Sequence, residues 1–267
     1  MARWRGMLLG LALALPQSLW AHEFWISPET YRVAPDEPIL VHLRVGENFK
    51  GSSYAYIPPN FTRFDVVMGD EVMAVEGRAG DRPAMNMAVG QEGLAVIVHQ
   101  TRAYDLTYNE FEKFVNFTKH KDFTWALDRL EERGLSGQKV RESYTRFGKS
   151  LVAVGNGQGA DREVGLEIEI VAEANPYTDD LSAGFPVRVL YQGAPRANEQ
   201  VELFARSGDE VVVSQYRTDA EGRVVLPVEA GVEYLVDSVL LRELEVQAEG
   251  DAAWESIWAS LTFRVPE

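Results

Sequence analysis

Four histidines and no cysteine set the metal and nucleophile chemistry open to this chain. Without thiols there is no Cys-ligated zinc, no iron–sulfur cluster, no disulfide framework and no thiol nucleophile. A borderline transition metal would have to be held by His22, His42, His99, His120 and carboxylates. No HxH or HxxxH pair occurs, so only the fold can bring these rings together. His22 stands apart because of what precedes it. Arg3 and Arg5, the apolar run Met7 to Leu15, the helix-breaking Pro16 and the small Ala21 form a secretory signal, with cleavage expected after Ala21. His22 would then be residue one, and its α-amine and imidazole would close a chelate ring on one metal, both deprotonating near neutrality. His99 ends the apolar run Leu94–Thr101, where a side chain can project into a cleft. His120 lies in Lys119-His120-Lys121-Asp122 between two helical patterns. His42 shares the polar face of its strand with Arg44 and reads as a surface residue.

The elements that must position these rings are mainly strands. Ile39, Val41, Leu43 and Val45 alternate with polar neighbours. Gly69-Asp70 reads as a hairpin turn within Phe64–Met73. Thr107-Tyr108-Asn109-Glu110 has the spacing of a capping box and predicts a helix over 108–118. A second helix is expected over about 124–133, stopped by Gly134. Leu151–Val154 and Leu166–Val171 read as strands, and Gly155–Gly159 between them as a loop without the Lys-Ser/Thr of a phosphate cradle. A boundary falls at Asn175–Gly184. From Phe185 on, short strands recur at Val187–Tyr191, Val201–Ala205, Val211–Thr218, Val224–Val228, Tyr234–Leu241 and Leu261–Val265, the pattern of a small β-sandwich. The expected organisation is a signal over 1–21, a β-rich domain over 22–174 with helices near 108–133, and a sandwich over 185–267. The fold class is mainly β, with two immunoglobulin-like or transthyretin-like sandwiches.

With 41 acidic and 26 basic residues, the chain carries −15 at pH 7. That opposes nucleic acid and anionic membranes as partners and favours cations. The apolar run at the start is too short for a permanent span, so no stable membrane insertion is expected after cleavage. There is no EF-hand loop, no G-x-S-x-G elbow and no H-E-x-x-H helix. Trp254 and Trp258, four apart, read as packing residues.

His22-Glu23-Phe24-Trp25, Glu142–Leu151 (ESYTRFGKSL), Ala174-Asn175-Pro176-Tyr177, Thr218–Arg223 (TDAEGR) and Trp254–Phe263 (WESIWASLTF) together resemble the domain of unknown function 4198 family, in order over nearly the whole chain after residue 21. The resemblance implies a bacterial secreted or periplasmic protein, and many relatives carry a label that ties them to nickel or cobalt uptake. Val98-His99-Gln100-Thr101 and His120-Lys121-Asp122-Phe123 are similar to motifs of a subgroup. Some relatives have a histidine near Val239-Leu240, where this chain has none. The leading expectation is therefore a periplasmic protein binding a divalent transition metal (Ni, Co or Cu) through His22, His99 and His120, and exchanging it with an envelope transporter component. The alternatives are a metal-free envelope interaction module and a copper enzyme with an N-terminal histidine chelate.

Overall fold

The computed structural model describes residues 22–135 and 139–267. The expected signal, 1–21, lies outside the described residues. The chain runs β1 (Glu23–Pro28), β2 (Arg32–Val33), β3 (Ile39–Glu47), β4 (Lys50–Tyr54), β5 (Phe61–Met68), β6 (Glu71–Ala74), β7 (Met85–Met87), β8 (Gly93–Thr101) and β9 (Tyr104–Tyr108). Two short helices follow, α1 (Phe111–His120) and α2 (Trp125–Glu132). The remaining strands are β10 (Val140–Val154), β11 (Ile168–Ala172), β12 (Phe185–Tyr191), β13 (Ala194–Pro195), β14 (Gln200–Ser207), β15 (Glu210–Arg217), β16 (Arg223–Leu226), β17 (Glu233–Glu243) and β18 (Trp254–Arg264).

The fold is mainly β, as expected, but its strands form three sheets rather than two separate sandwiches. The central sheet has ten strands, ordered β15-β14-β17-β18-β10-β8-β5-β6, with β2 and β9 added along β10. It takes strands from both sides of the expected boundary at 175–184. The reason is β10. It is 15 residues long, and it pairs antiparallel with β8 through Leu151–Val154 and parallel with β18 through Glu142–Ser150. A four-stranded sheet holding β1, β3, β4 and β7 and another holding β11, β12, β13 and β16 complete the set.

Strands of the central sheet feed two cores. In β8, Leu94, Val96 and Val98 join the cluster containing Phe185 and Phe263, whereas Ala95 and Ile97 join the one containing Ile26 and Val41. A strand buried on both faces reads as a continuous apolar run, which is how Leu94–Val98 reads. The helices cover a third cluster, with Phe114, Phe117 and Leu130 against Trp254 and Trp258. Both tryptophans are buried packing residues. Thr107 and Tyr108 do not cap a helix. They stay in β9, paired with Arg141 and Val140, and α1 begins after Glu110 without a side-chain cap. The ladder satisfies the backbone of residues 104–108, and in the first turn of α1 the Lys113 amide donates to the Glu110 carbonyl at 3.0 Å.

Strand β1 lies across β10 and β18, and Gly148 in β10 makes room for it. A Cβ there would stand 2.8 Å from Phe24 Cε1 and 3.2 Å from Ile26 Cγ1. Gly148→Ala is expected to cost about 1–3 kcal/mol through overpacking. An unchanged midpoint of thermal unfolding would show that β1 can shift freely.

Candidate functional site

Strand β1 divides the chemistry of the molecule. Its pleat sends Phe24 and Ile26 to one side and Glu23 and Trp25 to the other. Phe24 and Ile26 join the first-sheet core, while Trp25 packs with Phe49, Phe204 and Leu235. The strand is held by its ladder to β3, with Glu23 opposite Gly46, and by Thr262 Oγ1 donating to the Ile26 carbonyl at 2.7 Å.

On the Phe24 side sits His99. Its ring centroid is 5.2 Å from that of Phe24, 5.4 Å from Phe61 and 5.0 Å from Phe64. It is 3% exposed, and neither ring nitrogen has a hydrogen-bond partner. Burial holds its pKa down at about 3, so the ring is neutral at ordinary pH, with one donor and one acceptor nitrogen. The ring borders a cavity of about 200 Å³ walled by Leu43, Val45, Phe61, Tyr104, Tyr144 and Arg146, among others. Arg146 lies partly exposed there. Its Nη2 donates to the His22 carbonyl at 2.9 Å, and its guanidinium stands 4.8 Å from the Tyr144 ring centre. Its Nε is buried without a partner. Burial lowers the pKa of this guanidinium, and Glu142 and Asp237 act on it only from a distance. Among the described residues no carboxylate forms an ion pair with it.

On the Glu23 side sits a buried charge cluster. Lys121, just past the end of α1, is bonded to Glu202 of β14 and to Asp237 of β17 at 2.8 Å, and lies 3.8 Å from Glu23. Its ammonium also stands 4.9 Å from the Trp258 ring centre. His120 Nε2 is 2.9 Å from Glu202 Oε1. Burial would raise the pKa of Glu202, but hydrogen bonds and charge from His120 and Lys121 outweigh it and bring the carboxyl down to about 2. Glu23 lacks such close support, and burial pushes it up to about 8. Asp237 is raised by burial as well, and its Oδ1 has no partner.

His99 and His120 therefore lie on opposite sides of β1. Phe24 contacts the first ring, and the adjacent Glu23 reaches the cluster that holds the second. His120 ends α1 rather than lying in a solvated turn, and its ring is committed to Glu202. His22 heads β1 with its carbonyl on Arg146. The structure does not gather these three histidines, and the described residues contain no group of three or more histidines and carboxylates that could hold a metal ion. The pleat of β1 is the physical reason, since Phe24 and Glu23 face opposite sides and His99 packs on the one while His120 belongs to the cluster reached by the other. His42 is half-buried and bridges Ser53 and Glu29 at 3.0 Å each.

Sequence reasoning missed Arg146, Glu23, Lys121, Glu202 and Asp237. One signal was present: Asp237 interrupts the apolar run Tyr234–Leu241, where an unpaired carboxylate would be prohibitive. No helix among the described residues is long and apolar enough to cross a membrane. No curated protein matches the chain. A family profile does match, over residues 19–241, covering most of the sequence. The chain thus belongs to the family described as a domain of unknown function, DUF4198.

Proposed function

We propose that the protein is a non-enzymatic binding module of the periplasm or exterior that seats a small carboxylate with an apolar body beneath β1. One observation carries this reading: two polar groups without partners, the His99 imidazole and Arg146 Nε, border the same apolar-walled cavity. Each such group left unpaired costs about 1–3 kcal/mol. A ligand that bonds them recovers that cost. A guanidinium presents a planar fork suited to a carboxylate, and the neutral His99 adds one donor without adding charge. The phenylalanine, leucine and valine walls suit a ring or a short chain. The cavity, at about 200 Å³, is smaller than the 300–1,000 Å³ typical of drug-sized ligands. Cleavage after Ala21 would place an α-ammonium close to Arg146 and strengthen anion binding further.

Benzoate and its uncharged isostere benzamide provide the test, by calorimetric titration. Benzoate should bind and benzamide should not. Arg146→Gln should weaken benzoate by about 10- to 100-fold, the value of a charge-assisted hydrogen bond. Equal binding of benzamide, or an unaffected Arg146→Gln, would rule the reading out.

Metal chelation by His22 alone is the competing reading. It is supported by the position of His22 at the head of β1, partly exposed and with its backbone held. It needs no contribution from His99 or His120. In the same titration with Cu²⁺, Ni²⁺ and Co²⁺ it requires that His22→Ala abolish binding and His99→Phe leave it intact.

A further inference from the structure

A second cleft, independent of the pocket beneath β1, opens between α2 and the β14–β17 face. Its volume is about 460 Å³, and Lys121, Trp125, Tyr191, Arg196, Glu202 and Asp237 stand among its walls. Three features decide what it can hold.

The first is that its arginines are already occupied. Arg196 donates to Ser238 Oγ at 3.2 Å, to the Val239 carbonyl at 3.1 Å and to Glu199 at 2.7 Å. Arg242 is bonded to Glu167, Glu255 and the Tyr191 hydroxyl. Arg217 pairs with Asp122 and donates to the Asn198 carbonyl. An anionic ligand finds no uncommitted guanidinium here.

The second is Asp237. It is 1% exposed and lines the cleft. One carboxylate oxygen accepts from Lys121 at 2.8 Å, and the other accepts from no group. A buried carboxylate oxygen requires a donor. An ammonium at that oxygen would stand beside the Lys121 ammonium on the same carboxylate, two like charges in a poorly solvated site. A hydroxyl satisfies the oxygen without that repulsion.

The third is Trp125. The residue is 42% exposed, although its ring is braced edge-on against buried Trp254 at 5.6 Å. An exposed aromatic surface and an unmet hydrogen-bond acceptor on the walls of one cleft match the two-sided chemistry of a sugar ring, which carries C–H groups on its faces and hydroxyls around its rim.

We propose that this cleft is a binding site for a neutral saccharide, which stacks on Trp125 and donates a hydroxyl to Asp237 Oδ1. A cleft of this size holds roughly one or two sugar rings.

Tryptophan fluorescence and calorimetry on residues 22–267 test this, with glucose, galactose and N-acetylglucosamine as probes and putrescine as the cationic control. At least one sugar should saturate below about 10 mM. Trp125→Ala, at a surface position, should weaken it about tenfold or more. Asp237→Asn turns an acceptor toward a donor and should weaken it as well, while Arg146→Gln in the other pocket should not. Circular dichroism establishes that each variant is folded. The proposal is overturned if no sugar saturates, if putrescine binds more tightly than every sugar, or if Trp125→Ala binds as tightly as the unaltered chain.

Discussion

Replacing Lys149 with methionine should remove about 3–5 kcal/mol of stability, a large share of the roughly 5–15 kcal/mol that holds a domain folded. Lys149 is 1% exposed in the middle of β10. Its ammonium lies 2.7 Å from Asp161, 2.9 Å from Glu169 and 3.1 Å from the Arg162 carbonyl. These acceptors bind further groups: Asp161 receives the Ala172 amide at 2.8 Å, and Glu169 receives the amides of Val164, Gly165 and Leu166. The lysine therefore anchors the segment between β10 and β11 to both strands. Its loss leaves two buried carboxylates facing each other without a cation. Urea unfolding of Lys149→Met measures the effect. Adding Asp161→Leu and Glu169→Leu should return part of the loss, because an apolar cluster carries no desolvation penalty. A loss under about 1 kcal/mol in the single variant would mean that water already reaches the cluster.

Stability should peak near pH 5 and fall on both sides. Glu23 and Glu142 are raised by burial to about 8 and about 7, from the ordinary carboxylate value of 4.5. Their contribution is fully present below pH 4.5 and is lost as pH climbs through the folded values, because the unfolded chain releases protons that the folded chain retains. At 1.36 kcal/mol per pKa unit, Glu23 alone costs about 3 kcal/mol by pH 7. His99 has the opposite sign. Its pKa is depressed to about 3, so stability is lost as pH falls from 6.5 toward that value, while the unfolded ring takes a proton that the folded ring refuses. Glu202, depressed to about 2, adds to the same acid limb below pH 4.5. Denaturation at pH 4, 5, 6, 7 and 8 maps both limbs. Glu23→Gln should flatten the alkaline limb and His99→Phe should reduce the acid one. An unchanged slope from pH 5 to 8 in Glu23→Gln would mean that Lys121 keeps that carboxylate ionised.

The strands whose apolar pattern is unbroken, alternating or continuous, are legible in the sequence. Ile39–Val45 became β3, Leu94–Thr101 lies within β8, and Gly69-Asp70 forms the β5–β6 turn. What stayed hidden was the sharing of strands between halves. Only Leu151–Val154 of β10 reads as a strand, because Arg141, Glu142, Arg146 and Lys149 mask the rest. Three of those charges are explained by partners outside the strand: Ser256 for Glu142, the His22 carbonyl for Arg146, and Asp161 and Glu169 for Lys149. The site was legible only as residue types. His99 borders the cavity beneath β1 and His120 joins the Lys121–Glu202 cluster, and periodicity cannot tell which side of β1 each would meet. His22 and Glu23-Phe24 sat at the right strand, and its pleat decided the outcome.

The parallel pairing of β10 with β18 also governs when the chain can fold. Residues 142–150 wait for residues 254–262, and β1, near the start, lies over both. Until β18 has emerged from the ribosome, β10 keeps an open edge and β1 lacks half of its platform. Assembly then closes loops of more than a hundred residues, which makes it slow compared with local pairing. The central sheet of a chain built this way is complete only once β18 has joined β10.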